Sequence, residues 1–538
     1  MIVTAFSVSL LLFVSAPIQG MDAPLTRRER AVHLLSRFAF GPRPGDVARM
    51  MESDEGGWIK EQLDPRARGP KELAKRLGTL ETHEMSPSAV YRFTDYALPA
   101  NPTREDRQLR SRKRQIPMLE LEEAISFRQV LADDQLEEVL CEFWRNHFNV
   151  SYTKGWPAGL YIPDYDARVI CDHALGTFPD LLGASAHHPA MMHYLDNALS
   201  RRPPSGAELA KISQNVRTKT GSKELAAEAA LIASSRGVNE NYARELLELH
   251  TLGVDRSYTQ KDVIAAAEAL TGWGLMSGAE MAYGFEYEDE RHMSGNRSFL
   301  GNVLREDRKH GSGQGERLLE ILAKHKDTSH FIATKLVRYL VNDQPPDDLV
   351  DTVAAVYRKK IGDIPSMVRA ILDSEEFWQR RNYQAKFKTP NEFLISAIRI
   401  TGAEISSHAS LRDALRQMGQ PTYHCDDPTG YYDTADAWLD PGVMAKRWDI
   451  ALRLAAGDLE GVAIPAEFFG SLAEDESTRG WMRDMVQRVL PGGASSRTLA
   501  MVDQIVRNNT REGATPRVEL LGPQVLGLLL GSPEFQKQ

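Results

Sequence analysis

A polar stretch in the middle of the chain carries the residue types best suited to acid–base or metal chemistry. The sequence NENYARELLELHTLG, residues 239–253, holds two amides, three glutamates, an arginine and a histidine. On an α-helix, Asn241, Glu245 and Glu248 stand four and three residues apart and share one face. Oxygen donors grouped in this way suit a hard divalent cation, so these residues are candidate metal ligands. The alternative is a structural polar face that clamps neighbouring elements.

Two histidines stand where a core leucine is expected. His250 falls in the centre of the apolar arc of the same helix, and His147 holds the equivalent place in QLEEVLCEFWRNHF, residues 135–148. A buried imidazole must be hydrogen-bonded or metal-bound, because leaving it unpaired costs about 1–3 kcal/mol. Each histidine alone is predicted to be a satisfied core residue. If the two helices pack together, the pair is a candidate for metal ligation or acid–base chemistry.

Asp196 is a further candidate ligand or general base. It lies in HHPAMMHYLDN, residues 187–197, where Pro189 suits a helix start and Asp196–Asn197 suits its end. Asp-Asn pairs also form turns for local reasons, so a purely structural role remains open.

The elements that must position these residues are mostly helices. Apolar residues recur at helical spacing in many segments, and a glycine follows many of these segments, as helix C-caps require. Thr259 and Asp262 predict a capping box for the helix after residue 253. YGFEYED, residues 283–289, is the best strand candidate, with RSFLG, residues 297–301, as its expected hairpin partner. The predicted fold is mostly α, a multi-helix orthogonal or bundle-like array with few short strands.

The chain divides into five predicted segments. These are 1–20, a signal peptide or a mis-annotated start; 21–200, the N-terminal helical part of the core; 201–237, a flexible polar insertion; 238–400, the central helical part of the core; and 401–538, a C-terminal helical region with an irregular aromatic-rich loop. Two segments echo each other, AILDSEEF at residues 370–377 and LLLGSPEF at residues 528–535. Both predict a helix end followed by a serine-led turn.

The N-terminus predicts export. The chain is apolar from Ile2 to Val14 and then reaches V-S-A at residues 14–16, a small-residue site typical of signal-peptide cleavage. No Lys or Arg precedes the apolar run, so translation from Met21 is the alternative. Export would place the protein in the periplasm or outside the cell, whereas a start at Met21 would leave it in the cytoplasm. No other stretch has the apolar length needed to span a membrane.

Composition limits the partners. The 538 residues carry a formal net charge of −9, which argues against nucleic acid because phosphate binding needs clustered Lys and Arg. The densest basic run, residues 104–114, is interrupted by Glu105 and Asp106. It predicts either a solvated helix face or a contact with an anionic partner.

The three cysteines provide neither a disulfide framework nor a C-x-x-C metal site. Cys141 and Cys171 lie among apolar residues and are predicted to be buried small hydrophobes. Serine-hydrolase chemistry lacks its usual sign, because no G-x-S-x-G motif occurs in the chain.

Several phrases of the chain together resemble one bacterial family. They are HLLSRFAFGP, FWRNHF, HALGTFPDLL, HPAMMHYLDN, NENYARELLELHTLGV, LTGWG, KTPNEF and MGQP. Over Leu25 to Phe535 the chain is similar to the family catalogued as domain of unknown function 1800. The resemblance implies an exported or cell-envelope protein. It also implies, as a partner, a protein of the family called domain of unknown function 1501, which is similar to the alkaline phosphatase and sulfatase group. It implies no reaction.

One departure from the family pattern affects His292. Members typically read His-Asp, followed shortly by a Lys and Leu-Gly, whereas this chain reads HMSGNRSFLG, residues 292–301. His292 is kept as a candidate for metal binding or proton relay, Met293 replaces the acid, and Arg297 replaces the lysine. Asp289 is close enough in sequence to supply the missing carboxylate.

Two functions remain open from the sequence. The first is a metal-assisted hydrolase acting on an envelope or extracellular polymer, in which a divalent ion would generate hydroxide from water. Its metal ligands or proton relays would come from Asp196, Glu245, Glu248, His147, His250 and His292, with Asn241 as a further ligand. The alternative is a non-catalytic scaffold or maturation partner of a co-exported phosphatase- or sulfatase-like protein.

Overall fold

The structure is a computed structural model that describes residues 23–53, 55–64, 70–95, 99, 101–276, 284–306, 312–470, 478–509 and 517–538. The predicted signal peptide lies outside the described residues. The prediction of a mostly α fold is confirmed, since helices dominate and the strands are two or three residues long.

The N-terminal part consists of five short helices and one long one. They are α1 (Arg27–Arg37), α2 (Asp46–Glu52), α3 (Glu55–Leu63), α4 (Lys71–Leu77), α5 (Pro87–Thr94) and α6 (Arg104–Leu131). α6 begins with a capping box in which Thr103 and Asp106 satisfy each other's backbone N–H groups. Its 28 residues span about 42 Å, and its buried residues begin at Pro117. α6 therefore runs from a solvent-exposed basic end into the core.

The next helices surround a cluster of buried aromatic rings. They are α7 (Gln135–His147), α8 (Trp156–Tyr165), α9 (Phe178–His187) and α10 (Pro189–Tyr194), with 3₁₀ turns at Tyr152–Lys154 and Asn197–Leu199. A π-helical turn, Asp166–Cys171, follows α8 directly. Trp144, Phe148 and Phe178 are completely buried, and their ring centroids lie 6.0–6.2 Å apart. These contacts hold α7 against α9.

The segment predicted as a flexible insertion contains two helices. α11 (Gly206–Thr220) and α12 (Lys223–Ser234) pack on each other and are joined through Gly221, whose φ of 72° suits glycine. α11 has no buried residue, and α12 buries only Ala226 and Ala233. The two helices therefore form a hairpin that packs mainly on itself.

The central part places four short strands, paired two by two, among helices. Its elements are α13 (Asn241–Glu245), a π-helical turn (Leu246–Thr251), α14 (Gln260–Ala269), β1 (Trp273–Leu275), β2 (Phe285–Tyr287), a 3₁₀ turn (Asp289–Arg291), β3 (Arg297–Phe299), β4 (Asn302–Leu304), α15 (Gly313–Lys324), α16 (Lys326–Leu340), α17 (Asp347–Lys360) and α18 (Ile364–Leu372). The predicted capping box of Thr259 and Asp262 is confirmed at the start of α14.

The predicted pairing of YGFEYED with RSFLG is wrong. β2 pairs antiparallel with β1, and β3 pairs antiparallel with β4. Leu300 and Gly301 both have positive φ, 46° and 74°, which makes a tight two-residue turn between β3 and β4. RSFLG is thus closed by its own turn and is not available to β2. Tyr283, at the start of the predicted strand, lies outside the described residues.

The C-terminal part is again helical. It comprises a 3₁₀ turn (Arg380–Asn382), α19 (Pro390–Thr401), β5 (Glu404–Ile405), α20 (Ala409–Gln417), a 3₁₀ turn (Ala435–Ala437), α21 (Pro441–Ala456), β6 (Val462–Ala463), a 3₁₀ turn (Ala466–Phe469), α22 (Thr478–Val489), α23 (Ser496–Asn509) and α24 (Val518–Leu530). The serine-led turns are confirmed. The Phe377 N–H donates to Ser374 Oγ (3.2 Å), and the Phe535 N–H donates to Ser532 Oγ (3.3 Å).

The core is one connected cluster of apolar side chains, which extends from Ala31 to Phe535. α19 is buried along its whole length, including Arg399. The Arg399 guanidinium donates to the carbonyl oxygens of Gly41 (2.9 Å) and Val130 (2.8 Å). α19 therefore connects the start of the chain with the end of α6.

A disulfide joins Cys141 to Cys171, so the expectation of two separate buried thiols is wrong. The bond links α7 to the end of the π-helical turn 166–171, with the two Cα atoms 5.2 Å apart. The 30-residue separation in sequence concealed the pairing, which depends on how the π turn packs on α7. Cys425 is a free, half-buried thiol. Of the helices in the described ranges, none is both long and apolar enough to cross a membrane.

Gly315 tests the packing of the first turn of α15. A Cβ added there would lie 2.3 Å from Cζ2 of the Trp273 indole, so Gly315→Ala must displace the ring or the helix. We expect a loss of about 1–3 kcal/mol in the free energy of unfolding, as is usual for overpacking. Gly183→Ala in α9 is the matched control, because nothing lies within 4 Å of its added Cβ. Thermal denaturation should show a lower Tm for Gly315→Ala only; equal Tm values would contradict the packing.

Candidate functional site

His147 and His250 come together in the core, as the packing of their two elements required. His147 ends α7 and His250 lies in the π-helical turn, and both side chains are buried. The Nε2 of His147 is 3.1 Å from the carbonyl oxygen of His250, and the two ring centroids are 6.2 Å apart. A third residue, Lys335 of α16, places its Nζ 2.9 Å from Nδ1 of His147. An ammonium can only donate, so His147 accepts at Nδ1 and donates from Nε2.

Electrostatics keep both imidazoles neutral. Burial and the nearby Lys335 charge hold the pKa of His147 well below its usual value. The same two causes lower the pKa of His250 to about 3, and burial lowers the pKa of Lys335 to about 8. Nε2 of His250 is buried and has no hydrogen-bond partner among the described residues. Lys335 and His147 can share one proton along their hydrogen bond. The contacts of His147 with Lys335 and with His250 join α7, the π-helical turn and α16.

The stretch 239–253 is not the single α-helix that the sequence predicts. α13 ends at Glu245, and in the following turn the Leu252 N–H donates to the Leu247 carbonyl (2.8 Å), five residues back. This π-helical turn takes in one more residue than an α-helical turn, so α-helical angles do not hold beyond Glu245. Turns of this kind often mark functional or strained positions. Here the turn carries His250 into the core.

The three predicted metal ligands lie on the polar side of this segment, where each interacts with another residue of the protein. The Asn241 amide donates to the Leu195 carbonyl (3.4 Å), and Glu248 accepts from Arg244 (3.3 Å). Glu245 is half-buried, and its pKa is raised by burial, by Glu248 and by Asp427. In the part of the chain that the structure describes, no three His, Cys, Asp or Glu side chains are grouped so that they could hold a metal ion.

Asp196 closes the helix that precedes it. Its φ of 59° is left-handed, its carboxylate accepts from Lys154 Nζ (2.8 Å), and its carbonyl accepts from the Asn239 amide (3.2 Å). These are the contacts of a turn residue, the structural alternative predicted for the Asp-Asn pair. Asn239 and Asn241 therefore fasten the end of α10 to the start of α13.

The hydrogen bonds of His292 are with Thr271, which is not one of the other candidate residues. Its Nδ1 is 2.7 Å from the Thr271 carbonyl, and the N–H of Met293 donates to the Thr271 hydroxyl (2.9 Å). Arg297, which replaces the family's lysine, pairs with Glu268 (3.0 Å). Asp289 accepts from the Tyr287 hydroxyl (3.3 Å), so its carboxylate has a partner other than His292. His292 fastens the end of α14 to the segment before β3.

Asp166 was not identified from the sequence, although it centres a buried ion-pair network. Its carboxylate accepts from Arg145 (2.7 Å) and Arg128 (2.8 Å), and Tyr423 Oη donates to it at 2.8 Å. Burial alone would raise the pKa of Asp166, but Arg145 and Arg128 lower it to about 2. The sequence signal was a pair of aspartates, Asp164 and Asp166, inside the largely apolar run LYIPDYDARVIC, residues 160–171, because a buried carboxylate needs a partner.

The asparagines of the FWRNHFN phrase hold the aromatic-rich loop between α20 and α21. The Asn149 amide donates to the carbonyls of Cys425 (3.1 Å) and Asp427 (2.8 Å). Asn146 exchanges two hydrogen bonds with the backbone of Tyr431, at 2.8 and 2.7 Å. The loop is irregular in backbone but closely attached to the end of α7 and the residues that follow it.

Glu122 of α6 is a second residue that sequence reasoning missed. Its side chain is buried, one carboxylate oxygen has no hydrogen-bond partner among the described residues, and the other is 4.0 Å from Nδ1 of His424. Burial raises the pKa of Glu122 to about 7, although Arg412 and Arg416 act in the opposite direction. Such a carboxyl is able to exchange a proton near neutral pH.

The fold and these contacts define a helical protein in which polar side chains of several sequence motifs connect one element to another by hydrogen bonds. The chain belongs to the family described as Protein of unknown function (DUF1800), whose model matches residues 33–537. No curated protein and no solved structure matches it.

Glu122→Gln tests the buried carboxyl. An unfolded chain releases this proton near its ordinary pKa of 4.5, whereas the folded chain keeps it to about pH 7. The free energy of unfolding must therefore fall as pH rises through this interval, by at most about 3 kcal/mol. The variant lacks this loss, so we expect its Tm relative to the parent to rise between about pH 4 and about pH 8. Glu105→Gln, at an exposed position of the same helix, is the control for the same change of residue at the surface. A pH-independent Tm difference for Glu122→Gln would contradict the raised pKa.

Proposed function

We propose that the protein is a non-catalytic scaffold or maturation partner that binds a second exported protein through the α11–α12 hairpin. The observation that carries the proposal is the apolar surface of α12. Leu225, Leu231 and Ile232 are 49%, 71% and 54% exposed. Leu225 and Ile232 are seven residues apart and lie on one stripe of the helix, with Leu231 beside it. Covering an aliphatic side chain contributes about 1.5–3 kcal/mol, so this surface favours a partner.

Charge at the base of the hairpin indicates the chemistry of that partner. Arg201, Lys211 and Arg236 line a cleft of about 270 Å³ there, and Glu208, its acidic residue, is paired with Arg202 (2.8 Å). The pKa of Arg201 is lowered by burial and by repulsion from the positive charges of Arg291 and Arg236. An acidic segment of a partner, seated beside an apolar patch, would relieve this repulsion.

The remaining polar phrases support a structural role for the rest of the chain. Several side-chain amides donate hydrogen bonds to main-chain carbonyls, those of Asn146, Asn149, Asn239 and Asn241. His147 donates to the His250 carbonyl from one ring nitrogen in the same way. Side chains used in this way fix the relative positions of helices. A rigid helical body would present the hairpin to its partner.

The partner we propose is a protein of the domain of unknown function 1501 family, similar to phosphatases and sulfatases, as the family resemblance implies. The proposed location is the periplasm or the exterior of the cell. The Cys141–Cys171 disulfide supports export, because disulfides persist in oxidising compartments. The metal-assisted hydrolase stays a prediction that no contact among the described residues favours.

Binding to such a partner from the same organism is the test of the hairpin. We expect Leu225→Ser combined with Ile232→Ser to weaken the complex of the two purified proteins by at least about tenfold, because the apolar contact is lost. Leu499→Ser combined with Leu520→Ser is the matched control, since these leucines are 45% and 58% exposed on other helices. Affinities would be measured by titration calorimetry after circular dichroism shows that both variants are folded.

Three outcomes would overturn the proposal. The first is equal loss of affinity in the hairpin and control variants, and the second is the absence of any complex. The third is one tightly bound divalent metal ion per chain whose removal by chelator lowers the Tm, which would favour the hydrolase.

Counting thiols tests the proposed compartment. After expression with its N-terminal segment and purification from the periplasm, the denatured, unreduced chain should react with maleimide at Cys425 alone. Reduction should expose all three cysteines, and mass spectrometry distinguishes the two states. Three reactive thiols before reduction, or failure of the chain to reach the periplasm, would contradict an oxidised exported protein.

A further inference from the structure

The exposed end of α6 forms one wall of a cleft distant in sequence from the hairpin. Arg107, Arg110 and Arg114 recur at three- and four-residue spacing, so all three lie on one face of the helix. They line a cleft of about 480 Å³, and its opposite wall includes Tyr152 and Trp156. This volume is in the range of small-molecule sites in proteins, about 300–1,000 Å³.

Positive charge in the cleft is only partly neutralised. Asp95 pairs with both Arg110 and Arg114, the latter at 3.1 Å. Arg107 donates to the Pro102 carbonyl (2.7 Å), which carries no charge. The three guanidinium groups therefore outnumber the two carboxylates that interact with them, Asp95 and Asp106. None of the described side chains that line the cleft is acidic. The Nε atoms of Arg110 and Arg114 are buried without a hydrogen-bond partner.

The opposite wall adds two features that suit an anion attached to a ring. α8 begins at Trp156, and no side chain caps its N-terminus, so the positive end of the helix dipole is free to attract an anion. The Arg114 guanidinium carbon is 4.7 Å from the centroid of the Trp156 ring, so the guanidinium lies over one face of the indole. Tyr152 is held in place against Gly159, where an added Cβ would be 2.6 Å from its ring. Both aromatic side chains are partly exposed.

We propose that this cleft binds a phosphate or sulfate ester of a sugar. The ester group would lie among Arg107, Arg110 and Arg114 near the start of α8, where the guanidinium groups provide hydrogen-bond donors to tetrahedral oxyanions. The sugar ring would pack on Tyr152 and on the face of Trp156 that Arg114 does not cover. A solvated helix face, the alternative from the sequence, does not account for guanidinium Nε atoms shielded from water. The proposal does not depend on the hairpin or on a protein partner.

The test is calorimetric titration of the full chain with glucose 6-phosphate, glucose 6-sulfate, inorganic phosphate and glucose at constant ionic strength. We expect either ester to bind at least about tenfold more tightly than phosphate, and glucose not to bind. Arg107→Ala should weaken ester and phosphate binding by about tenfold, whereas Trp156→Leu should weaken only the ester. Arg112→Ala is the matched control, because Arg112 is exposed on the opposite face of α6.

Three results would overturn the proposal. Equal affinities for the esters and inorganic phosphate would show that the ring is not recognised. Equal effects of Arg107→Ala and Arg112→Ala would show that the anion responds to surface charge alone. Absence of any binding by the folded parent chain would show that the cleft is not a site for these esters. Thermal denaturation of Trp156→Leu establishes that the variant is folded, and Arg107→Ala, at an exposed position, tests the site if it is not.

Discussion

A carboxylate removed from water needs positive charge from elsewhere in the chain, and Asp166 meets this constraint with Arg145 and Arg128. Removing one partner from a buried pair costs about 3–5 kcal/mol, because the other charge is left uncompensated. The requirement therefore constrains the arrangement of the helices. α6, α7 and the π-helical turn after α8 must meet at one point, and Tyr423 brings the aromatic-rich loop to the same point. The buried C-terminal half of α6, which contains Arg128, fixes the position of the exposed basic N-terminal half of the same helix.

Both π-helical turns carry a polar residue into the core, Asp166 in one and His250 in the other. An extra residue in a helical turn leaves the hydrogen-bond ladder locally irregular, which is tolerated where other contacts compensate. At the first turn the compensation is the arginine pair and the disulfide of Cys171. At the second it is the contact of His147 with the His250 carbonyl. The core is thus assembled around polar groups with specific partners, while the exposed apolar residues of α12 and the α6 cleft lie outside it.

Much of the fold could be predicted because its signals are local. Helical periodicity, the Thr259–Asp262 capping box and the two serine-led turns depend on residues within a few positions of each other, and all are present. The burial of His147 and His250 followed from their apolar neighbours in sequence. The sequence predicted RSFLG as the partner of β2, whereas the structure pairs β2 with β1, a strand of three residues that carries no recognisable strand pattern of its own. The partners of the predicted site residues depended on elements far away in the chain, as with Lys335 and His147.

The sequence by itself determined the helical class, the family to which the chain belongs and the set of polar phrases that required an explanation. These properties depend on residue order over short distances. Only the tertiary structure decided what the phrases do, since hydrogen-bond partners and electrostatic neighbours are set by which elements pack together. Packing joined Cys141 to Cys171, surrounded Asp166 with arginines, and left Asn241, Glu245 and Glu248 without a third acid or histidine grouped with them in the described residues. It also placed Trp156 opposite three arginines that the sequence presented only as a charged run.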